Sequence, residues 1–201
     1  MSETSKTVPG SKNIYLIGFM GSGKSTVGRL LAQELQREFV DVDERVIEQA
    51  GCSISQIFES AGETGFRERE SAALREVAHR ENLVIALGGG AVLTDRNWEL
   101  VQQTGISVYL RVRPELLHKR LESEVERPLL LGLTQRLQKI TEILHQRKAR
   151  YEQADLAICN EGTPEEAVAA ICEALRANTQ VRPYSLPSLG EGSWEKPEVR
   201  T

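Results

Sequence analysis

The chain has 201 residues and a formal net charge of −4, with 40% hydrophobic and 27% charged residues. That length and that apolar share fit one globular core domain with small appendages. The mild acidic balance excludes a protein that grips nucleic-acid backbones through a basic excess, and 5% aromatics leaves little for base stacking. Residues 1–12 are polar and read as a disordered tail. Short apolar runs then alternate with helical patterns. The runs are Ile14–Ile17, Phe39–Val42, Leu83–Leu87, Ile106–Leu110 and Leu156–Cys159. Too short for helices and partly β-branched, they read as buried strands of a parallel sheet. Between them, Val27, Leu30, Leu31 and Leu35 recur at helical spacing, and further helices are expected over Thr64–Arg80, Arg96–Thr104 (capped by Asp95), Glu115–Glu122 (opened by Pro114) and Leu133–Glu152. The last helix opens with Thr163-Pro164-Glu165-Glu166, a capping-box pattern. Residues 179–201 hold Pro183, Pro187 and Pro197 without periodicity and read as a flexible tail.

One motif carries the chemistry. Gly18-Phe19-Met20-Gly21-Ser22-Gly23-Lys24-Ser25 satisfies G-x-x-x-x-G-K-[ST] between a strand and an amphipathic helix. The glycines let backbone N–H groups curl toward phosphate oxygens, and the helix N-terminus adds partial positive charge. Lys24 can bridge the β- and γ-phosphates, and Ser25 can bind Mg²⁺. The guanine-reading [NT]KxD and the DxxG of Ras-like GTPases are absent, and Leu83–Leu87 runs into Gly88-Gly89-Gly90 rather than the Asp or Asp-Glu of motor and transporter ATPases. A small-molecule kinase is the favoured class.

Asp41 and Asp43 stand two residues apart at the end of the second run, where ligands sit in open α/β sheets. Asp41 can support Mg²⁺ through water. Asp43 can accept a proton from a substrate hydroxyl, or simply cap a helix over Glu44–Ala50. Taken alone, Arg67 is an ordinary solvated helix charge, and the triple glycine an ordinary loop that also lets a ligand approach bare backbone.

Together these residues resemble the shikimate kinase family, within the nucleoside-monophosphate-kinase-like P-loop fold. The resemblance runs in order from about Asn13 to Asn178. It rests on Gly18–Gly28, Asp41-Val42-Asp43, Ile57-Phe58, Gly62-Glu63, Phe66-Arg67-Glu68, Leu87-Gly88-Gly89-Gly90-Ala91, Arg127-Pro128-Leu129-Leu130, and Arg147 four residues before Tyr151. It implies a five-stranded parallel sheet of order 2-3-1-4-5 and ATP-dependent phosphorylation of the shikimate 3-hydroxyl with Mg²⁺. Gly21, Ser22, Gly23, Lys24, Ser25, Thr26, Arg120 and Arg127 would bind ATP, with Arg120 along the adenine. Asp43, Arg67, Gly88, Gly89, Gly90 and Arg147 would bind shikimate, the two guanidiniums clamping its carboxylate. Ser25 and Asp41 would serve the metal, and Lys24, Asp43 and Arg127 the chemistry. The kinase domain would span 13–178, with a substrate-binding part over 44–74 and a lid over 122–133. The loop Glu161-Gly162-Thr163, expected near the adenine, departs from relatives that carry a basic or amide residue there. The rival readings are a gluconate or nucleoside-monophosphate kinase, and a nucleotide-binding module without chemistry.

Cys52, Cys159 and Cys172 are odd in number and form no CxxC, and His79, His118 and His145 form no HExxH. Neither a disulfide framework nor a His-held metal is expected. No apolar run reaches the ~18 residues of a membrane span and residues 1–12 lack a secretory signal's apolar segment, so a cytoplasmic protein without membrane or nucleic-acid partners is expected. The resemblance adds a monomer.

Overall fold

The computed structural model describes residues 12–122 and 135–177. Residues 1–11 and 178–201 of the two ends, Arg127, Leu133 and the expected lid beyond Glu122 lie outside the described residues. The five strands are β1 (Asn13–Ile17), β2 (Glu38–Asp41), β3 (Leu83–Ala86), β4 (Gly105–Arg111) and β5 (Leu156–Cys159), and they form one parallel sheet in the order β2-β3-β1-β4-β5. Among the described residues, seven α-helices accompany them: α1 (Lys24–Leu35), α2 (Val42–Ala50), α3 (Ile54–Ala78), α4 (Asp95–Thr104), α5 (Pro114–Leu121), α6 (Arg136–Tyr151) and α7 (Pro164–Ala177).

The continuous apolar runs follow from coverage on both faces, because side chains alternate across a strand and neither face meets water. On one face Ile14, Leu16, Val84, Val108 and Leu110 pack with Val27 and Leu31 of α1 and Ile171 of α7. On the other, Tyr15, Ile17, Ile85 and Tyr109 pack with Leu74 of α3, Val101 of α4 and Ile140 and Tyr151 of α6. Ile14 lies opposite Val84 on one side and Ile106 on the other, so β1 is the central strand. The chain turns to one side of β1 for β2 and β3 and to the other for β4 and β5. The crevice beyond the carboxyl end of β1 is therefore the expected ligand position in such a sheet.

Local chemistry accounts for where the helices begin. α7 opens on the expected capping box: Thr163 Oγ1 accepts from the Glu166 N–H at 3.2 Å, and Glu166 Oε2 accepts from the Thr163 N–H at 3.0 Å. A second box, Ser53 with Gln56, starts α3 ten residues before the expected Thr64. Gly62 interrupts that helix at φ 67°, ψ −174°, which only glycine adopts without strain, so the expected helix corresponds to the segment beyond the kink. The expected cap at Asp95 is corrected, and the alternative reading of Asp43 as a helix cap is set aside. Asp95 is the first residue of α4 and pairs with Arg150, while Thr94 holds the N-cap position without a side-chain bond. The cap of α2 is Asp41, whose carboxylate accepts from the Asp43 N–H at 3.0 Å. Val42 accordingly belongs to α2 rather than to the strand, and Asp43 sits in the first helical turn.

Candidate active site

The loop between β1 and α1 is built on left-handed glycines: Gly21 has φ 74° and Gly23 φ 86°, values a side chain resists. Lys24 folds back over the loop and donates from Nζ to the carbonyls of Gly18 and Phe19 at 3.0 and 2.9 Å. Ser25 Oγ donates to Asp41 Oδ2 at 2.6 Å. Asp41 therefore does two things at once, ending β2 in a cap and presenting a second oxygen beside the P-loop hydroxyl.

These residues line a cavity of about 430 Å³, a volume suited to a nucleotide. Gly21, Gly23, Lys24, Ser25, Thr26, Asp41, Asp43, Gly89 and Arg120 of the expected site all border it, together with Asn160. Ser22 is fully buried and is not among the lining residues. Arg120, from α5, donates to the Asn160 carbonyl at 3.0 Å and so projects into the same space.

A smaller cavity of about 60 Å³ adjoins the first. Asp43, Arg67, Arg147 and the three glycines border it, with Phe58, Phe66 and Glu70. Asp43, Met20 and Gly89 border both cavities. Asp43 is thus placed where the two spaces meet. Arg147 is 8% exposed, donates to the Gly89 carbonyl at 3.0 Å and lies 5.8 Å from the Phe19 ring centroid. The hydroxyl of Tyr151, one helical turn further along α6, donates to the same carbonyl. Two donors from one helix thereby clamp the peptide after Gly89 and leave its glycines bare toward the cavity. Close approach accounts for two of the three glycines. A Cβ on Gly88 would collide with the carboxylates of Glu70 and Asp43, and one on Gly90 with the Arg67 guanidinium.

Glu70 is the site residue that sequence reasoning missed. Three residues after Arg67 on one helix, it reads as half of a surface pair, yet it is fully buried and holds Arg67 Nη1 at 2.7 Å. Glu63 supports the same guanidinium at 3.2 Å from a more exposed position. Burial raises the Glu70 carboxyl to about 7, against the lowering by Arg67 and Arg147, and Asp43 raises it further. Its ordinary value of 4.5 applies in the unfolded chain, so the unfolded state releases this proton first. The contribution of Glu70 to stability is therefore most favourable below about pH 4.5 and is lost as pH rises toward about 7. The shift corresponds to about 3 kcal/mol. Glu70→Gln cannot ionise and should flatten that slope. Urea unfolding of wild type and variant at pH 5 and pH 8 measures it, and equal slopes in the two proteins would refute the assignment.

The chemistry available is narrow. One pocket offers a glycine-built loop at a helix N-terminus, an ammonium and a hydroxyl–carboxylate pair, the equipment for a nucleotide polyphosphate. The other offers two guanidiniums at one side and a carboxylate at its mouth, which suits a small acid that also bears a hydroxyl. A P-loop fold with this paired site defines a small-molecule kinase.

Comparison with known proteins narrows the class. Residues 20–176 match the family model described as shikimate kinase. A shikimate kinase of Chlorobaculum parvum is 45% identical over 152 residues, 72% of this chain and 81% of that protein. One of Trichormus variabilis is 44% identical over 165 residues, 81% of this chain and 90% of that protein. A solved structure of shikimate kinase from Acinetobacter baumannii in complex with shikimate superposes with a TM-score of 0.83 at 40% identity, covering 88% of this chain and 99% of the other. The chain belongs to the shikimate kinase family.

Proposed function

We propose that this chain transfers the γ-phosphoryl group of ATP to the 3-hydroxyl of shikimate. The observation that carries the reading is Asp43, which borders both the P-loop cavity and the cavity of Arg67 and Arg147. In-line transfer needs acceptor and donor to meet at one point, and a proton acceptor to stand there.

The residues divide the work by chemistry. Arg67 and Arg147 hold the shikimate carboxylate, because guanidinium forks match its two oxygens. Gly88, Gly89 and Gly90 offer bare backbone to the ring. The P-loop from Gly21 to Thr26 cradles the phosphates, Lys24 leaves its carbonyl partners for the β- and γ-phosphates, and Arg120 lies along the adenine. Asp43 orients the 3-hydroxyl and takes its proton as that oxygen bonds to the γ-phosphorus. The bond from the γ-phosphorus to the bridging oxygen breaks, and ADP leaves with the electron pair. Arg127, from the segment assigned as a lid, adds positive charge to the transferring group. Residues 44–74 form the substrate-binding part under this reading.

Ser25 and Asp41 fit Mg²⁺. They present hard oxygens 2.6 Å apart beside the loop, few enough that the ion would keep water and phosphate in its remaining positions. When bound, the ion neutralises charge on the β- and γ-phosphates. We place the enzyme in the cytoplasm and read it as a monomer. Cys52, Cys159 and Cys172 are free thiols, as a reducing compartment keeps them, and no helix among the described residues is long and apolar enough to cross a membrane.

The test is ADP release coupled to an NADH readout, with shikimate, gluconate or a nucleoside monophosphate as acceptor. Turnover should require shikimate. Turnover supported by gluconate or a nucleotide in its place would overturn the reading.

A further inference from the structure

Asn160 follows the last residue of β5 and engages its neighbours through its side-chain amide nitrogen, its backbone N–H and its backbone carbonyl. Its side-chain Nδ2 donates to the Ser22 carbonyl inside the P-loop at 2.7 Å. Its backbone N–H donates to the Arg111 carbonyl at the end of β4 at 2.9 Å. Its own carbonyl accepts from Arg120 Nη2 at 3.0 Å. The residue is 3% exposed and borders the nucleotide cavity. The amide lies against the loop so closely that a Cβ on Gly23 would fall 2.8 Å from Nδ2.

We propose that Asn160 is a positioning residue for the nucleotide, tying the P-loop to the edge of the sheet and setting Arg120 against it. The physical reason lies in what the P-loop must do. Its N–H groups grip phosphate only while the peptides are turned inward, and a peptide's carbonyl points opposite its N–H. Holding the Ser22 carbonyl from outside therefore holds the next N–H, that of Gly23, toward the cavity. Glycines at 21 and 23 permit the required backbone but do not select it, since glycine is conformationally free. Selection needs an external bond, and Asn160 supplies one from a rigid strand end. The anchor is stiff because the Asn160 peptide is itself held on both sides, by Arg111 through its N–H and by Arg120 through its carbonyl. The amide identity matters as well. A donor is needed toward the Ser22 carbonyl, and a carboxylate of the same shape would set acceptor against acceptor and add negative charge beside the phosphates.

This inference rests on the assignment of the first cavity to ATP and of Arg120 to its adenine, and the experiment separates the two. Calorimetric titrations use ADP, inorganic pyrophosphate and shikimate as probes on wild type, Asn160→Ala, Asn160→Asp and Arg120→Ala. The Asn160→Ala change leaves a buried carbonyl unpaired and should weaken ADP and pyrophosphate alike, by roughly 10-fold. Asn160→Asp should weaken both further, by roughly 50-fold or more. Shikimate affinity should stay within about twofold in both, and the KM for ATP should rise in step with the loss of ADP affinity. Unchanged ADP and pyrophosphate affinity in both variants would overturn the proposal. So would an equal loss for shikimate, which marks general destabilisation. If Asn160→Asp does not fold, Asn160→Ala decides by the same criteria. Arg120→Ala should weaken ADP while sparing pyrophosphate. If it spares ADP too, the adenine assignment fails, and the pyrophosphate result on Asn160 still stands or falls by itself.

Discussion

Asp43→Asn should lower kcat for shikimate phosphorylation by roughly 10²–10⁴-fold, the range lost when a positioned proton acceptor is removed. ADP affinity should stay within a few-fold of wild type. The substitution is nearly isosteric, and α2 does not depend on this side chain. Its cap is Asp41, which accepts from the Asp43 backbone N–H, and that N–H survives in the variant. Asp43 itself borders both cavities. Steady-state kinetics with shikimate and calorimetry with ADP measure the two quantities separately. An equal loss of ADP binding would mean that Asp43 holds the site together and takes no proton. Loss of shikimate affinity with kcat preserved would make it a binding group alone.

The second large effect belongs to Arg67. Arg67→Ala should raise the KM for shikimate by at least roughly 100-fold, because a charge-assisted fork to a carboxylate is lost in a partly desolvated site. The ADP affinity should change little. The structure adds a consequence that charge counting would not reveal. Arg67 is the cation facing Glu70, a fully buried carboxylate. Removing one member of such a pair leaves the other buried and uncompensated, at a cost of about 3–5 kcal/mol. Arg67 is also one of the groups that lower the Glu70 carboxyl, so in Arg67→Ala that carboxyl stays protonated to higher pH than in wild type, and the variant should lose stability as pH rises to where it is forced to ionise and recover at lower pH. The double variant Arg67→Ala, Glu70→Gln separates the two roles. It should regain much of the stability by chemical denaturation and none of the shikimate affinity. Recovery of shikimate binding in the double variant would sink the assignment of Arg67 to the substrate carboxylate, as would a dominant effect on ADP in the single one.

The contrast between Asp43 and Glu70 shows what kind of information each stage holds. The place of Asp43 at the site was legible because it follows from short-range facts: a strand run, a spacing of two from Asp41, and the position of strand ends in a parallel sheet. The P-loop was legible for the same reason, since strand, glycines, lysine and helix are contiguous. Glu70 was not. An Arg–Glu pair three apart on a helix is ordinarily a solvated pair worth little. Only the packing of α3 beneath the triple glycine makes it buried, raised toward neutrality and coupled to Asp43. The start of α3 was readable in principle from the Ser53–Gln56 box, but Gly62 breaks the helical pattern between the two halves.

The chain by itself determined the parallel α/β sheet, through short apolar runs that neither face could leave in water, and the nucleotide loop, through contiguous backbone chemistry. The strand order came from likeness to a family, since hydrophobic period says which residues are buried and not which strand is the neighbour. Only the tertiary structure decided which polar groups serve each other across the fold. Tyr151 and Arg147 meet on the Gly89 carbonyl, Arg67 meets buried Glu70, and Asn160 meets Ser22 from 138 residues away. Such pairs leave no local pattern, because a hydrogen bond depends on where two segments arrive and not on how far apart they are in the chain.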